Sequence, residues 1–437
     1  MSVKSSHQAM ESSFKDLPLY ALGFLLRVGL WFLGPDLSER VELSTPLNSH
    51  KQLLEGAKMS SMGLDPYSGV IVHETPLVLQ GYLFLTDKIP SWELLYIALD
   101  LLTAFILQAN ARAAANDLLQ REKNRKVHEE AKEMLLKPET LRQMPKYSAL
   151  GFLCNPFVIA NCVAKTTTTL HNLVLACLIL CMSKKNRFLG SFFLAASTYL
   201  NLYTVMLLVP LVLSLKSSSL LKEFLATGTY FLGFLLGLLW LSYEMGGGTQ
   251  FLFSVYGFTL SVPELTPNMG LFWYFFTEMF EHFRLFFIAT FQVNVFIYLL
   301  PLSIKLRAEP YLLCLTLLSL ISIFKSYPSY GDVGFYLSLL SGLPHLGPFM
   351  KQSSFVANML LAATVLGPIL FQLWIYNGSA NANYFFAINL VFGTAQIFLV
   401  TDVLFAQVKR YFFLEKGFTQ VNAQGEKELS KLKLNSF

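Results

Sequence analysis

The chain has 437 residues, of which 54% are apolar and only 14% charged, with a formal net charge of +5. A soluble globular domain carries about 25% charged residues, so this composition excludes a soluble globule and makes the bilayer the solvent. The positive charge collects in short Lys/Arg clusters between apolar blocks such as Lys184, Lys185 and Arg187, a topology signal that implies no nucleic-acid partner.

The first apolar block, Leu17 to Leu33, is interrupted by Arg27 and followed by Pro35-Asp36 without a small-residue cleavage pattern, so it reads as a retained span. Residues 34–76 form a long acidic loop, with Asp36, Glu39, Glu42, Glu55, Asp65 and Glu74 against Arg40, Lys51 and Lys58. Long ordered loops are usually functional. Leu77 to Leu85 is too short to span and is expected as an interfacial helix, and Trp92 to Asn110 is the second span. Residues 111–146 hold nine Lys/Arg, among them Arg121, Lys123, Arg125 and Lys126, whereas residues 242–282 hold none and carry Glu244, Glu264, Glu278 and Glu281. Basic connections stay in the cytoplasm, which places 111–146 there as a helical loop and puts 34–76 and 242–282 on the lumenal side. The mixed charges from Asn116 to Met144 suit a solvated helix pair or, alternatively, a docking surface.

Further spans are expected over Tyr147 to Ala164, Leu170 to Met182, Phe188 to Leu200, Tyr203 to Leu215, Leu221 to Leu241 and Phe283 to Leu302. Tyr311 to Phe324, Val333 to Met350, Phe355 to Tyr376 and Tyr384 to Gln407 follow. The expectation is an all-α polytopic membrane protein with about twelve transmembrane helices, lumenal interfacial helices and both termini cytoplasmic. Lys305, Arg307, Lys351, Lys409 and Arg410 all fall on the cytoplasmic side of that topology. Residues 1–437 make one integral membrane domain, and the polar tail 411–437 reads as disordered and cytoplasmic.

No catalytic residue, metal site or cofactor is assigned. The five cysteines lie inside apolar runs without a CxxC pair, and His73, His171, His282 and His345 are scattered. Asp100, inside a span, is expected to face a partner or a polar cavity. Asp332 follows Lys325-Ser326-Tyr327-Pro328 at a helix start, where a carboxylate serves as a cap. Lys165 and His171 flank a Thr run to which no function is given.

The order of first span, long loop, DPYSGVIVHETPL over residues 65–77, Asp100-Leu101-Leu102-Thr103-Ala104 and Asn155-Pro156 resembles the GT-C class of polytopic mannosyltransferases, closest to that of glycosylphosphatidylinositol (GPI) assembly. Where that class carries Asp-x-Asp, this chain reads Ser38-Glu39-Arg40-Val41-Glu42. An active lipid-phosphate-mannose transferase using Glu39, Glu42 or Asp65 is therefore the alternative reading, with the acidic pair broken. Phe258 to Phe287, Ile323 to Val333 and Leu373 to Asn383, with ERVELSTPLNS near residue 40 and CVAKTT near residue 165, resemble the class U phosphatidylinositol-glycan subunits of GPI transamidase over essentially the whole chain. That resemblance implies a GT-C-like fold in the endoplasmic reticulum membrane that is non-catalytic, binds and presents the GPI lipid and scaffolds the complex. The implied partners are a cysteine-protease-like catalytic subunit and membrane and lumenal accessory subunits. A secondary transporter is disfavoured, because no paired Gly/Pro-broken helices recur in the two halves.

Two segments are the candidate lipid site. In the first, Trp273, Tyr274, Phe276, Phe280, Phe283 and Phe287 suit an aromatic belt at the headgroups. Alternatively Trp273, Tyr274 and Phe276 line a site together with Glu278, Glu281 and His282, which one helical turn would bring together to face the lipid glycan or a partner. In the second, Asn377, Ser379, Asn381 and Asn383 suit a plain turn or a set of amides and hydroxyls for sugars and phosphate, with Tyr384 beneath them. Asn377-Gly378-Ser379 is also a glycosylation sequon, and because it abuts the membrane it is expected to be unmodified.

Overall fold

A computed structural model of the chain describes residues 16–429, apart from residues 87, 90, 125–126, 216–218, 247, 418 and 422–426. The described helices run in chain order as α1 (Leu17–Leu33), α2 (His50–Ser61), α3 (Pro76–Thr86), α4 (Trp92–Lys123), α5 (Pro138–Leu153), α6 (Pro156–Val163), α7 (Thr168–Ser183), α8 (Arg187–Leu200) and α9 (Leu208–Ser214). They continue as α10 (Leu220–Gly246), α11 (Phe258–Ser261), α12 (Phe272–Thr277), α13 (Glu281–Ile297), α14 (Leu299–Lys305), α15 (Pro310–Phe324), α16 (Tyr330–Leu340), α17 (Ser353–Ile375) and α18 (Ala382–Lys416). A short antiparallel pair follows, β1 (Thr419–Val421) with β2 (Lys427–Leu429).

Five of these segments are long and apolar enough to cross a membrane: α4, α10, α13 with α14, α17 and α18. Other expected spans are shorter or broken, for local reasons. Tyr147 to Ala164 divides into α5 and α6, because Asn155 accepts the Phe157 N–H at 3.0 Å as a helix cap and Pro156 opens a new first turn. The segment Tyr203 to Leu215 begins as a 3-10 turn over Leu202–Leu207, leaving only seven residues in α9. Val333 to Met350 ends as an α-helix at Leu340, and Pro344–Phe349 is a 3-10 turn.

Sequence hydrophobicity all round the axis dictates where α15 sits, since a helix without a polar face is stable only when surrounded. Every residue from Leu312 to Ile323 is buried, and α15 packs against α9, α13, α16 and α18. Around it, α4 lies on α5 and α7, α8 on α10, and α17 on α18. The main core joins Leu107, Phe152, Leu175, Leu194, Leu317 and Phe335. By contrast, Leu236, Trp240, Leu285 and Leu361 on α10, α13 and α17 are more than half exposed, as lipid-facing side chains would be.

Inside this bundle Asp100 meets a partner, as an intramembrane carboxylate must. Arg27 of α1 lies 2.7 Å from Asp100 of α4, and both side chains are fully buried. At the basic end, Arg410 of α18 pairs with Glu122, and Arg121 lies 3.3 Å from Glu309. The segment from Asn116 to Met144 is therefore less solvated than expected: α4 continues to Lys123, and Ala115, Leu141 and Met144 form a small buried cluster. The tail from Tyr411, expected to be disordered, is helix and strand where it is described: α18 runs to Lys416 and β1 and β2 follow, while residues 418, 422–426 and 430–437 lie outside the described residues.

At the opposite end, the first loop is stitched to helix starts by its backbone. The Tyr330 N–H of α16 donates to the Glu42 carbonyl at 2.8 Å, and the Thr167 N–H before α7 donates to the Asn48 carbonyl at 3.1 Å. Asp332 caps α16 as expected, accepting the Ser329 N–H at 2.9 Å, and Lys325 pairs with it at 2.6 Å.

Candidate functional site

The two segments singled out in the sequence meet where α12 leans on the start of α18. Asn381 caps α18, its Oδ1 accepting the Asn383 N–H at 3.1 Å. This fixes the first turn of α18, and there the Tyr274 hydroxyl donates to Asn383 Oδ1 at 2.5 Å across 109 residues of sequence. The Tyr274 ring stacks on Phe386 with centroids 4.1 Å apart and planes 12° apart. Trp273 completes the corner, 5.9 Å from Trp374 and 5.9 Å from Phe385.

Trp273 is buried, so the aromatic-belt reading fails for it: its neighbours are helix α17 and α18 rings and not headgroups. Phe276 is also buried but faces a separate cluster with Phe258, Phe272 and Tyr327. Asn377 and Ser379 lie in the exposed turn between α17 and α18, where Gly378 adopts φ +64° and the Ser379 N–H donates to Leu373 O at 2.9 Å. A left-handed residue at that place favours glycine. Tyr384 is 58% exposed and stands outside the ring stack.

Glu278, Glu281 and His282 do not share one helical turn. Glu278 is the C-terminal cap of α12, Phe280 is extended with ψ 136°, and α13 begins at Glu281. All three are exposed; Glu281 lies 3.9 Å from Arg284, and His282 packs on Phe283.

Sequence reading missed the residues behind this corner. Asn389 is fully buried in α18, its Nδ2 donates to Asn268 O at 2.7 Å, and its Oδ1 has no hydrogen-bond partner. The signal was available: Phe385, Asn389, Phe392 and Gln396 recur at helical spacing and all are buried, so a polar residue sits on the inward stripe of an apolar helix. Asn389, Ser322, Ser329 and Gln396 line a cavity of about 90 Å³. Leu271 and Ile323 form part of its wall and also of a neighbouring apolar groove of about 540 Å³ between Phe272, Phe286, Val293 and Phe324. A small cavity carrying Asn389, Gln396 and two serines on its wall thus adjoins a large apolar groove.

The acidic residues that a transferase would need are dispersed by environment. Glu39 is exposed on Lys51 at 3.0 Å. Glu42 is buried with an unpartnered Oε1, and loss of hydration raises its pKa. Asp65 Oδ1 accepts the Tyr67 N–H at 2.9 Å within its own turn. Glu74, 5% exposed, accepts from the Thr167 hydroxyl and is pushed up to about 7 by burial. His50, buried against Tyr82 and Tyr96, is pushed down to about 4 by the same cause. Glu74 and His73 face a cavity of about 70 Å³ shared with Asn48, Thr168 and Lys325. Among the described residues, no group of three or more His, Cys, Asp or Glu is placed to hold a metal ion.

Comparison with known proteins is consistent over most of the chain. The family model described as GPI transamidase subunit PIG-U matches residues 21–392. The chain is 37% identical over 415 residues to the GPI-anchor transamidase component PIGU of Homo sapiens, covering 92% of this chain and 95% of that protein. It is 29% identical over 406 residues to the GPI transamidase component GAB1 of Saccharomyces cerevisiae, covering 92% and 96%. With a family model spanning most of the chain and a relative above 30% identity over nearly its full length, this chain belongs to the PIG-U family of GPI transamidase subunits.

Proposed function

We infer that this protein acts in GPI attachment as a non-catalytic subunit, binding the GPI lipid at the α12–α18 corner and presenting it to a separate cysteine-protease-like subunit while scaffolding the complex. The relatives are named as components of GPI transamidase and not as glycosyltransferases, so the mannosyltransferase alternative is set aside. The carrying observation is that α18 holds both Asn383, bonded to Tyr274, and, six residues on, Asn389, which lines a cavity sharing walls with an apolar groove. Amides and hydroxyls at the start of α18 and in the cavity, with an apolar groove next to the cavity, match a lipid with a polar head and long chains.

The same reading places the chain in the endoplasmic reticulum membrane as a GT-C-like bundle of about twelve spans, the shorter helices crossing within the protein interior. Charge supports the topology. Arg121, Glu122, Glu309 and Arg410 gather at one end, the cytoplasmic one, and the Asn381 turn lies at the other. Asn377, Ser379, Asn381, Asn383 and Tyr384, with Tyr274, Glu278, Glu281 and His282, form the proposed lipid-facing region, Tyr274 and Asn383 at its centre and the buried Trp273 and Phe276 supporting it from behind.

The test is a set of substitutions expressed in cells lacking the gene. Asn381→Lys and Tyr274→Phe are expected to lower surface GPI-anchored protein and to build up complete, unattached GPI, with subunit co-purification intact. Glu39→Gln, on an exposed pair, should change neither. Under-mannosylated precursor accumulating in any of these lines would overturn the reading.

A further inference from the structure

A second amphiphile-shaped site lies away from this corner, between the interfacial helix α3 and span α4, and shares no lining residue with it. Leu77, Gly81, Leu85, Leu95, Leu99 and Leu170 wall an apolar groove of about 380 Å³. At one end of the groove Tyr82 and Trp92 stack with centroids 4.1 Å apart, a ring pair of the kind that sits at headgroup depth. Thr167 and Leu200 line both this groove and the polar cavity that holds Glu74.

Beside that end stands a cation in an unusual backbone state. Lys165 has φ +56°, a left-handed conformation unfavourable for any residue with a Cβ. Its Nζ lies 3.1 Å from Glu93 Oε1, next in sequence to Trp92, and both side chains remain about a quarter exposed. Glu93 uses one of three ammonium donors, and Glu93 is held independently by the Ser91 hydroxyl at 2.8 Å. The ammonium therefore has donors for an anion without stranding its partner.

We propose that this groove holds an acyl chain of a membrane glycerophospholipid whose phosphate is bound by Lys165. The cation at the headgroup end fits phosphate, and the apolar walls fit the chain.

The test uses the full chain purified with its co-assembling subunits and placed in phosphatidylcholine nanodiscs containing a phosphatidylcholine with a diazirine on its acyl chain. After photolysis, labelled peptides are mapped against the lipid-facing α17 surface at Leu361 and Val365 as the bulk-lipid reference. Gly81→Phe sets a ring on the groove wall from a position where a Cβ meets nothing within 4 Å. Lys165→Gly removes the charge and relieves the backbone. Label on Leu77 to Leu99 is expected to exceed that on α17 and to fall several-fold in Gly81→Phe. In Lys165→Gly it should fall about fivefold, while capture of a diazirine diacylglycerol, which has no phosphate, stays unchanged. Equal labelling of groove and α17, insensitive to Gly81→Phe, means bulk lipid only and overturns the site. Equal loss of both probes in Lys165→Gly overturns the phosphate contact, and competition by purified GPI lipid in place of phosphatidylcholine overturns the occupant. Gly81→Leu serves where the Phe variant does not fold.

Discussion

Replacing Asp100 by alanine should be among the most damaging single changes in the chain. Arg27 and Asp100 are both fully buried, so neither can recruit bulk water when the other is lost. Removing one partner of a buried ion pair costs about 3–5 kcal/mol. The geometry argues for the lower end. Both Arg27 Nε, at 2.8 Å, and Nη2, at 2.7 Å, converge on Asp100 Oδ2, while Oδ1 has no hydrogen-bond partner, so the pair lacks fork-to-fork bonding. Arg27 also donates to the carbonyls of Gly23 at 2.9 Å and Leu153 at 3.0 Å, which keep it partly satisfied after Asp100 is removed. A loss of about 3 kcal/mol follows. The double variant Arg27→Leu/Asp100→Leu removes both charges and should recover most of it, since apolar replacement of a whole buried pair is often neutral. The assay is the thermal midpoint of detergent-purified protein, followed by size-exclusion after heating. If the double variant is as unstable as Asp100→Ala, mutual attraction and not an uncompensated charge accounts for the loss, and the reasoning fails.

Three further outcomes can be checked in the same preparation. Asp402 accepts the N–H groups of Lys351 and Gln352, each at 2.9 Å, just before α17; Asp402→Ala should lower stability by about 2–3 kcal/mol, with Asp402→Asn intermediate, and equal stability of all three proteins would refute the cap. The Glu74 carboxyl rises from its ordinary 4.5 to about 7 on folding, so the folded state holds the proton more tightly and stability falls as pH rises from 4.5 through 7. The full loss is roughly 3 kcal/mol; Glu74→Gln should flatten that slope and be the more stable protein at pH 8, and a flat wild-type profile would count against it. A Cβ at Gly331 would lie 2.3 Å from Asn161 Oδ1, inside a fully buried side chain, so Gly331→Ala should cost about 1–3 kcal/mol, whereas Gly228→Ala, where a Cβ meets nothing, should be neutral or better.

Run length carried the bundle's outline because burial in lipid demands it. Leu17–Leu33 matched its apolar block residue for residue, and Pro76–Thr86 exceeded the expected Leu77 to Leu85 by one residue at each end. The breaks inside Tyr147 to Ala164 and Val333 to Met350 escaped, because a hydrophobicity window weighs Asn155-Pro156 or Pro344 as composition and not as turn chemistry. At the site, Tyr274 and Asn383 were legible as residue types, but their bond joins positions 109 apart, which no local pattern encodes. Glu278 and Glu281 were misjoined for the opposite reason: spacing suggested a helical turn where the extended Phe280 interrupts it. Trp273 was read toward the headgroups because an aromatic run is the same string of letters whether it meets lipid or another helix.

Helix α18 ties these levels together. It carries Asn383 near its first turn and Arg410 near its last, some 27 residues apart, or about 40 Å at 1.5 Å per residue. Between them Phe385, Asn389, Phe392, Gln396 and Asp402 are all buried against other elements. Moving Asn383 away from Tyr274 therefore means sliding or tilting a helix fixed along its length, and the corner is held in place before any lipid arrives. Preorganisation of this kind raises affinity by removing the ordering cost at binding. It also separates two classes of substitution that reduce the same cellular readout. Changes at Asp402 or Arg410 act far from the corner and should lower the amount of folded protein while leaving lipid capture per folded molecule unaltered. Tyr274→Phe should do the reverse, keeping the protein abundant and weakening capture. Loss of capture per molecule in Asp402→Ala would mean that the corner is not rigid and that α18 transmits strain from the basic end to the proposed lipid site.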